Sequence, residues 1–266
     1  MNALVAVILA GLLPWPALAS GVAEAGARAD AAGTVTIRWF GQACFLASWA
    51  TGGRVVFDPC DQSFLDYRLP ADLRADIVCV SHEHADHNNV KAVHGSPVVL
   101  RGHAGVRSAQ RAGVSVRSVD AWHDEVRGAE RGANTIYLVE KEGLRLCHLG
   151  DLGQVPTDAQ VSQIGEVDVL FLPVGGHFTL DPSRLDDVVA RLKPKVIIPM
   201  HYRTWATRDL PLASVDDYLR GRSHVRRESG SQVDLAKGDL TAGAGSADAT
   251  LIVLEPPRGA SPATAR

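Results

Sequence analysis

Apolar residues along this chain gather in short runs, and several of those runs end in a polar cluster. Val35-Thr36-Ile37-Arg38-Trp39-Phe40 alternates as a half-buried strand does, Gly41-Gln42 breaks it, and Cys44 to Trp49 forms a second strand. Gly52-Gly53 then turns the chain into Arg54-Val55-Val56-Phe57, which stops at Asp58-Pro59. From Gln62 to Ala75 there is little periodicity, which predicts a loop bordering a cleft. Ile77-Val78-Cys79-Val80 is a short apolar run suited to a buried strand. Val98 to Leu100, Ala104 to Ala112 and Val114 to Val119 predict strand, helix and strand. Thr135 to Glu140 and Leu144 to Leu146 predict a hairpin around Glu142-Gly143. Thr157 to Ile164 suits a helix and Val167 to Leu172 a buried strand. Ser183 to Leu192 suits a second helix, with Pro182 at its start and Pro194 stopping it. Val196 to Met200 is a further strand and Ser214 to Arg220 a short helix. Val225, Val233 to Leu235 and Leu251 to Leu254 supply late strand pieces. Short strands in two halves with helices between them predict an α/β fold, two sheets packed face to face beneath helices.

The ends read differently. Ala3 to Leu13 is an unbroken apolar run, followed by Pro14-Trp15-Pro16 and then Ala17-Leu18-Ala19. That order matches a signal peptide over residues 1–19, although its first residues carry no Lys or Arg. The run falls short of the roughly 20 apolar residues that span a bilayer. An exported protein, periplasmic or secreted and without stable membrane insertion after cleavage, is therefore expected. Residues 20–33 read as a flexible leader, 34–255 as one domain and 256–266 as a disordered tail. Cys44, Cys60, Cys79 and Cys147 lie in or beside apolar runs without Cys-x-x-Cys spacing, and read as buried thiols. Cys44 and Cys60 flank the predicted hairpin, where an oxidising compartment allows one disulfide.

Composition narrows the function. A net charge of -3 argues against a general nucleic-acid binder, and 6% aromatics against stacking platforms for single strands. A small-molecule substrate is the expected partner. The strongest chemical signal is Ser81-His82-Glu83-His84-Ala85-Asp86-His87, released directly by the strand ending at Val80. His82, His84 and Asp86 alternate and project to one side of an extended segment, whereas His87 must point elsewhere. That pattern suits two adjacent metal ions. Imidazole nitrogen with carboxylate oxygen favours zinc or a similar divalent ion. The same arrangement of strand and polar cluster recurs at His148 to Asp151, at His177 and at His201, and the loop Asp120 to Glu125 holds His123.

His-x-His-x-Asp-His after a strand resembles the defining motif of the metallo-β-lactamase-fold hydrolases, and the resemblance extends from Thr36 to Tyr202. It implies a four-layer αββα sandwich. It further implies that His82, His84 and His123 hold a first ion, that Asp86, His87 and His201 hold a second, and that Asp151 bridges them. Asp124 beside His123 is an alternative ligand. Asp58 is implied as a brace for the metal loop. His148, three residues before Asp151, reads either as a core residue or as a neighbour that orients Asp151 by a hydrogen bond. His177 either faces the ions, touching substrate or donating a proton, or lies exposed on its glycine turn. His94, His103 and His224 are read as surface residues.

The implied activity is hydrolysis of an ester-type bond (a lactone, thioester or phosphodiester) by a metal-bridging hydroxide, with two zinc ions as cofactors and Asp86 handling the water's proton. The Gly-Gln-Ala-Cys-Phe opening, the run Arg131 to Thr135 and Pro-Met-His-Tyr look most like the branch of ascorbate-6-phosphate lactonases and phospholipase-D-type hydrolases. A true β-lactamase and a metal-binding protein without turnover are the alternatives. A diiron oxidoreductase of this fold would carry Glu where His84 stands, and a nuclease would need an additional nucleic-acid-binding insertion.

Overall fold

The computed structural model describes residues 33–102, 107–240 and 249–256. The expected signal peptide, most of the expected leader, His103 and the residues after 256 lie outside the described residues. Among those described, no helix is long and apolar enough to cross a membrane.

Among the described residues, fourteen strands form two mixed sheets. In the first, β1 (Thr34–Gly41), β2 (Cys44–Trp49) and β3 (Arg54–Phe57) make an antiparallel meander, and β4 (Ile77–Val80) and β5 (Val98–Arg101) add parallel to it. Two strands of the second sheet, β6 (Ser108–Arg111) and β7 (Val114–Trp122), pair antiparallel, and β8 (Ala133–Lys141) and β9 (Leu144–His148) continue that pattern. Helix α1 (Asp158–Ile164) precedes β10 (Val169–Pro173), and α2 (Leu185–Leu192) precedes β11 (Val196–Met200). Beyond β9 the pairing becomes parallel through β10 and β11. After α3 (Val215–Leu219), β12 (Val225–Arg227) and β14 (Thr250–Val253) close the second sheet, while β13 (Gln232–Ala236) returns to pair with β1.

The sheets meet over one apolar core that includes Ile37, Phe45 and Phe57 from the first and Ile136, Phe171 and Ile198 from the second. Helices α1, α2 and α3 join it through Ile164, Leu185, Val188, Leu192, Val215 and Tyr218. Helix α1 starts in a capping box made by Thr157 and Gln160, and Arg117 from β7 donates to the carbonyls of Gln163 and Ile164 at its other end. A second apolar cluster holds Val56, Val78 and Val80 of the first sheet. The segment expected to border a cleft covers it, burying Leu65, Tyr67, Leu69 and Leu73. That layer is irregular chain, so the α/β sandwich is helical mainly over one side.

Two expectations are corrected. The stretch expected as a helix from Ala104 to Ala112 contains β6, which pairs with β7 through a tight turn at Ala112-Gly113. Both turn residues have positive φ, 51° and 73°. Turn geometry of this kind feeds a hairpin, and it overrides the helix propensity of Ala, Gln and Arg. The other is that β7 runs on through Asp120 to Trp122, so His123 leaves the end of a long strand rather than a loose loop.

At the edge where β13 and the start of β9 approach, buried Asp168 ties the two sheets together. Its carboxylate accepts from Arg145 N at 2.9 Å, Lys195 Nζ at 2.8 Å and Lys237 Nζ at 2.7 Å, Lys237 following β13 directly. Burial opposes ionisation there, but the two ammonium groups hold the carboxyl below its ordinary value. A depressed carboxylate contributes stability above its unfolded pKa of about 4 and loses it as pH falls through the folded value. Asp168→Asn is expected to cost about 1–2 kcal/mol at pH 7 and to flatten the loss of stability below about pH 4, as measured by denaturant titration across pH.

Candidate metal centre

All the candidate ligands emerge at one end of the two sheets. The chain leaving β4 carries His82, His84, Asp86 and His87, and the ends of β7, β9 and β11 carry His123, Asp151 and His201. The structure gathers them into two groups. His82, His84 and His123 form one, and Asp86, His87, Asp151 and His201 the other, with the potential ligand atoms of each within 4.8 Å of one another. Asp151 Oδ2 lies where the groups meet. It is 3.0 Å from His201 Nε2, 3.4 Å from both His87 Nε2 and His123 Nε2, and 3.9 Å from His82 Nε2.

Neighbours aim these rings. Asp58, with no exposed surface, accepts Ser81 N and Ser81 Oγ at 2.7 Å and His87 Nδ1 at 2.8 Å. His87 therefore spends Nδ1 on the brace and turns Nε2 toward the centre. Ser81 Oγ, which donates to Asp58, in turn accepts His82 Nδ1 at 3.0 Å and turns His82 Nε2 toward His84 Nδ1, 3.0 Å away. Asn134 on β8 holds the turn of Asp151: its Oδ1 accepts Asp151 N at 3.0 Å and its Nδ2 donates to Leu149 O at 2.9 Å. Gly150 sits in that turn at φ 55°, where a Cβ would fall 2.4 Å from Asn134 Oδ1. Only glycine permits both the conformation and the approach.

The electrostatics follow from concentrating imidazoles on buried carboxylates. Burial and the charge of His87 push His82 down to about 3. Burial likewise disfavours the charged form of His87, yet Asp151, Asp86 and Asp58 together raise it well above the usual range. Asp151 is held well below the ordinary carboxylate value despite complete burial, first by His201 and then by His87. Asp86 is lowered in the same way, with His87 outweighing burial.

These residues fit a metal pair. His87 Nε2 is buried and faces carboxylate oxygens of Asp86 and Asp151 at 3.3 and 3.4 Å without hydrogen bonding to either, and Asp151 Oδ1 also lacks a partner. Converging nitrogen and carboxylate donors left without protein partners are the donor set that borderline divalent ions take.

The remaining candidates lie outside the two ligand groups. Asp124 does not compete with His123. Its carboxylate is consumed by the backbone N–H groups of Val126, Gly128, Glu130 and Arg131 at 2.7–3.0 Å, which fold the segment after β7 around it. His148 does not touch the Asp151 carboxylate. Stacked on Phe57, it donates Nε2–H to Ala43 O at 2.9 Å and accepts Gly150 N on Nδ1 at 3.1 Å, so it fixes the glycine of the turn. His177 is exposed and outside both ligand groups, while its neighbour Phe178 lines the cleft. His94 and His224 are exposed. The four cysteines are buried and unbridged.

Sequence reasoning missed Gln42 as a functional residue. From the turn between β1 and β2 its Nε2 donates to Asp86 Oδ2 at 2.9 Å, and its carbonyl accepts His201 N at 3.1 Å. It also missed Arg131, Phe64 and Leu210, which line a cavity of about 390 Å³ over Asp86, Asp151 and His201. Gln42 and Arg131 stand in runs that carry the resemblance, but their roles are not local, because each residue arrives from a different loop.

Asp58→Ala removes the acceptor that orients His87 and Ser81. It is expected to leave a folded protein whose divalent-ion affinity falls about 10- to 100-fold, read by competition with a chromogenic chelator.

Comparison with known proteins agrees with this geometry. Residues 36–201 match the Beta-lactamase superfamily domain. A UPF0173 metal-dependent hydrolase of Thermococcus kodakarensis is 29% identical over 198 residues, covering 64% of this chain and 86% of that protein. A Thermotoga maritima structure, assigned as a Zn-dependent hydrolase of the metallo-β-lactamase superfamily, superposes with a TM-score of 0.66. It is 35% identical and covers 84% of this chain and 100% of that one. A metallo hydrolase from Ignicoccus hospitalis shares the fold at 22% identity and a TM-score of 0.56, covering 76% and 98%. With the sandwich, the two ligand groups and these relatives in place, the chain belongs to the metallo-β-lactamase superfamily, among its metal-dependent hydrolases.

Proposed function

We propose that this protein is a binuclear hydrolase of ester-type bonds, lactone, thioester or phosphodiester, loaded with two zinc ions. The observation that carries the reading is the two ligand groups meeting at the buried Asp151 carboxylate. In these ligands the ions would lower the pKa of water to near 7 and polarise the electrophile. Hydrolysis places the water's hydroxyl on the carbonyl carbon or phosphorus and its proton on the leaving oxygen or sulfur. Asp86 suits the handling of that proton. It is the half-buried carboxylate of the centre, and it lines the cavity. Gln42 fixes its Oδ2, so the group stays positioned while the proton moves. His201 is held with φ at 51°, a strained value for a residue with a side chain, and its N–H is anchored on Gln42. His148 contributes by holding the turn before Asp151. Phe64, Phe178 and Leu210 give the cleft an apolar wall against which a non-polar part of a small substrate can lie. We further infer export, because Ala3 to Leu13 followed by Ala17-Leu18-Ala19 has the order of a cleavable signal.

Elemental analysis of protein reconstituted with excess zinc is expected to give about two ions per chain, and one or none would defeat the binuclear reading. Asp86→Asn retains an amide oxygen for a metal but cannot accept a proton. With any ester the protein turns over, it is expected to lose about 10² to 10⁴-fold in kcat. His148→Ala is expected to lose only about 10- to 100-fold. A His148→Ala enzyme as inactive as Asp86→Asn with its metals still bound would reverse the roles assigned here. For export, N-terminal sequencing from the native host is expected to begin at Ser20.

A further inference from the structure

The cavity over Asp86 and Asp151 is not the only hollow at this centre. A second, of about 290 Å³, lies on the other side of His84 and is lined by Ser81, His82, Glu83, Arg101 and Ala133 among others. Two residues line both cavities, His84 and Arg131. In the second cavity, Arg101 is neutralised by Glu83, with Nη1 2.7 and 2.6 Å from its two carboxylate oxygens. Arg131 is different. Half-buried between the hollows, its guanidinium has no ion pair or hydrogen bond among the described residues. Glu130 beside it also lines the larger cavity but is exposed and makes no ion pair with it.

The backbone that carries Arg131 is pinned. Its own N–H donates to Asp124 Oδ2 at 2.7 Å, one of four backbone donors on that carboxylate. Gly132 N donates to Gly128 O at 3.0 Å, and Gly132 O accepts His123 N at 3.0 Å. His123, a candidate ligand, and Arg131, a free cation, are thus the two ends of one loop folded around a buried carboxylate. A guanidinium held beside a centre that attacks electrophiles, and left without a counter-ion, is a receptor for a planar or tetrahedral oxyanion. The larger cavity is also lined by the apolar side chains of Phe64, Phe178 and Leu210.

Resting on the hydrolase reading above, we propose that Arg131 reads an anionic group of the substrate. The substrate class is then an ester-type compound bearing a carboxylate or phosphate at one end and an apolar portion against Phe64, Phe178 and Leu210. Arg131 binds and orients through that anion, which places its contribution mainly in KM.

The test uses zinc-reconstituted full chain with a matched pair of esters, neutral p-nitrophenyl butyrate and anionic mono-p-nitrophenyl glutarate. Wild-type protein is expected to favour the anionic ester. Arg131→Gln is expected to lower the ratio of anionic to neutral kcat/KM by roughly 10- to 100-fold, chiefly through KM, with Arg131→Lys in between. Arg127→Gln, on the same loop but lining neither cavity, should leave both the ratio and the basal activity unchanged. Calorimetric titration with glutarate and with n-butyl phosphate gives a readout independent of turnover. Whichever anion loses affinity in Arg131→Gln identifies carboxylate or phosphate as the group read. An unchanged substrate ratio, or equal affinity of wild type and Arg131→Gln for both anions with metal content retained, overturns the assignment. If wild type cleaves neither ester, the hydrolase reading is what fails, and calorimetry still decides the role of Arg131.

Discussion

A single buried carboxylate organises the centre from below. Asp58 takes its charge out of water between the two sheets, a costly placement unless fully compensated. Two hydrogen bonds from Ser81 and one from His87 compensate it, and they fix the first residue of the metal loop and its last histidine. Everything between, His82 to Asp86, is suspended from those two points. Asn89 N and Nδ2 add bonds to the carbonyls of Pro59 and Cys60, at 2.8 and 3.2 Å, so the loop is pinned again just past its end. Asp58 itself has φ at 41°, a conformation that costs about 1 kcal/mol or more for a non-glycine residue. The same chain pays similar strain at Gln42 and His201, both of which touch the ligand set.

What the sequence shows of this arrangement depends on how locally each part is encoded. His82 to His87 is dense and follows a buried strand, so the motif can be seen without any knowledge of the fold. Asp151 and His201 are each announced by an apolar strand just before them. His123 is also preceded by a strand, but Ser118, Asp120 and Trp122 blur its pattern because β7 is only partly buried there. The choice between His123 and Asp124 is made by four backbone N–H groups, which no side-chain pattern records. The helix expected over Ala104 to Ala112 failed for a related reason. Ser, Ala, Gln and Arg suit a helix locally, yet the paired edge of β7 and the positive φ of Ala112 and Gly113 decide the outcome.

Gln42, Asn134 and Arg131 show the limit more sharply. Each lies in a run that carries the family resemblance, Gly-Gln-Ala-Cys-Phe or Arg131 to Thr135, yet nothing local in either run says what the side chain touches. Their importance lies in separation: Gln42 reaches across 44 residues to Asp86, and Asn134 across 17 to Asp151. Such contacts become visible only once two sheets have folded against each other. The fold class, by contrast, was readable from alternation and run length, because sheet faces and the core impose them on every strand.

The ligand groups are also divided between the sheets. His82 and His84 belong to the first sheet and His123 to the second; Asp86 and His87 face Asp151 and His201 in the same way. No group can be completed by one half of the molecule alone. An ion held there is consequently a cross-link between the sheets, present only in the folded chain. Linkage makes such a ligand add RT ln(1 + [L]/Kd) to folding, about 4 kcal/mol at a thousandfold excess over Kd. The stability of this protein is then set in part by its surroundings: the free-ion level of the compartment acts on the whole sandwich, and starvation for metal loosens the fold as well as silencing the site.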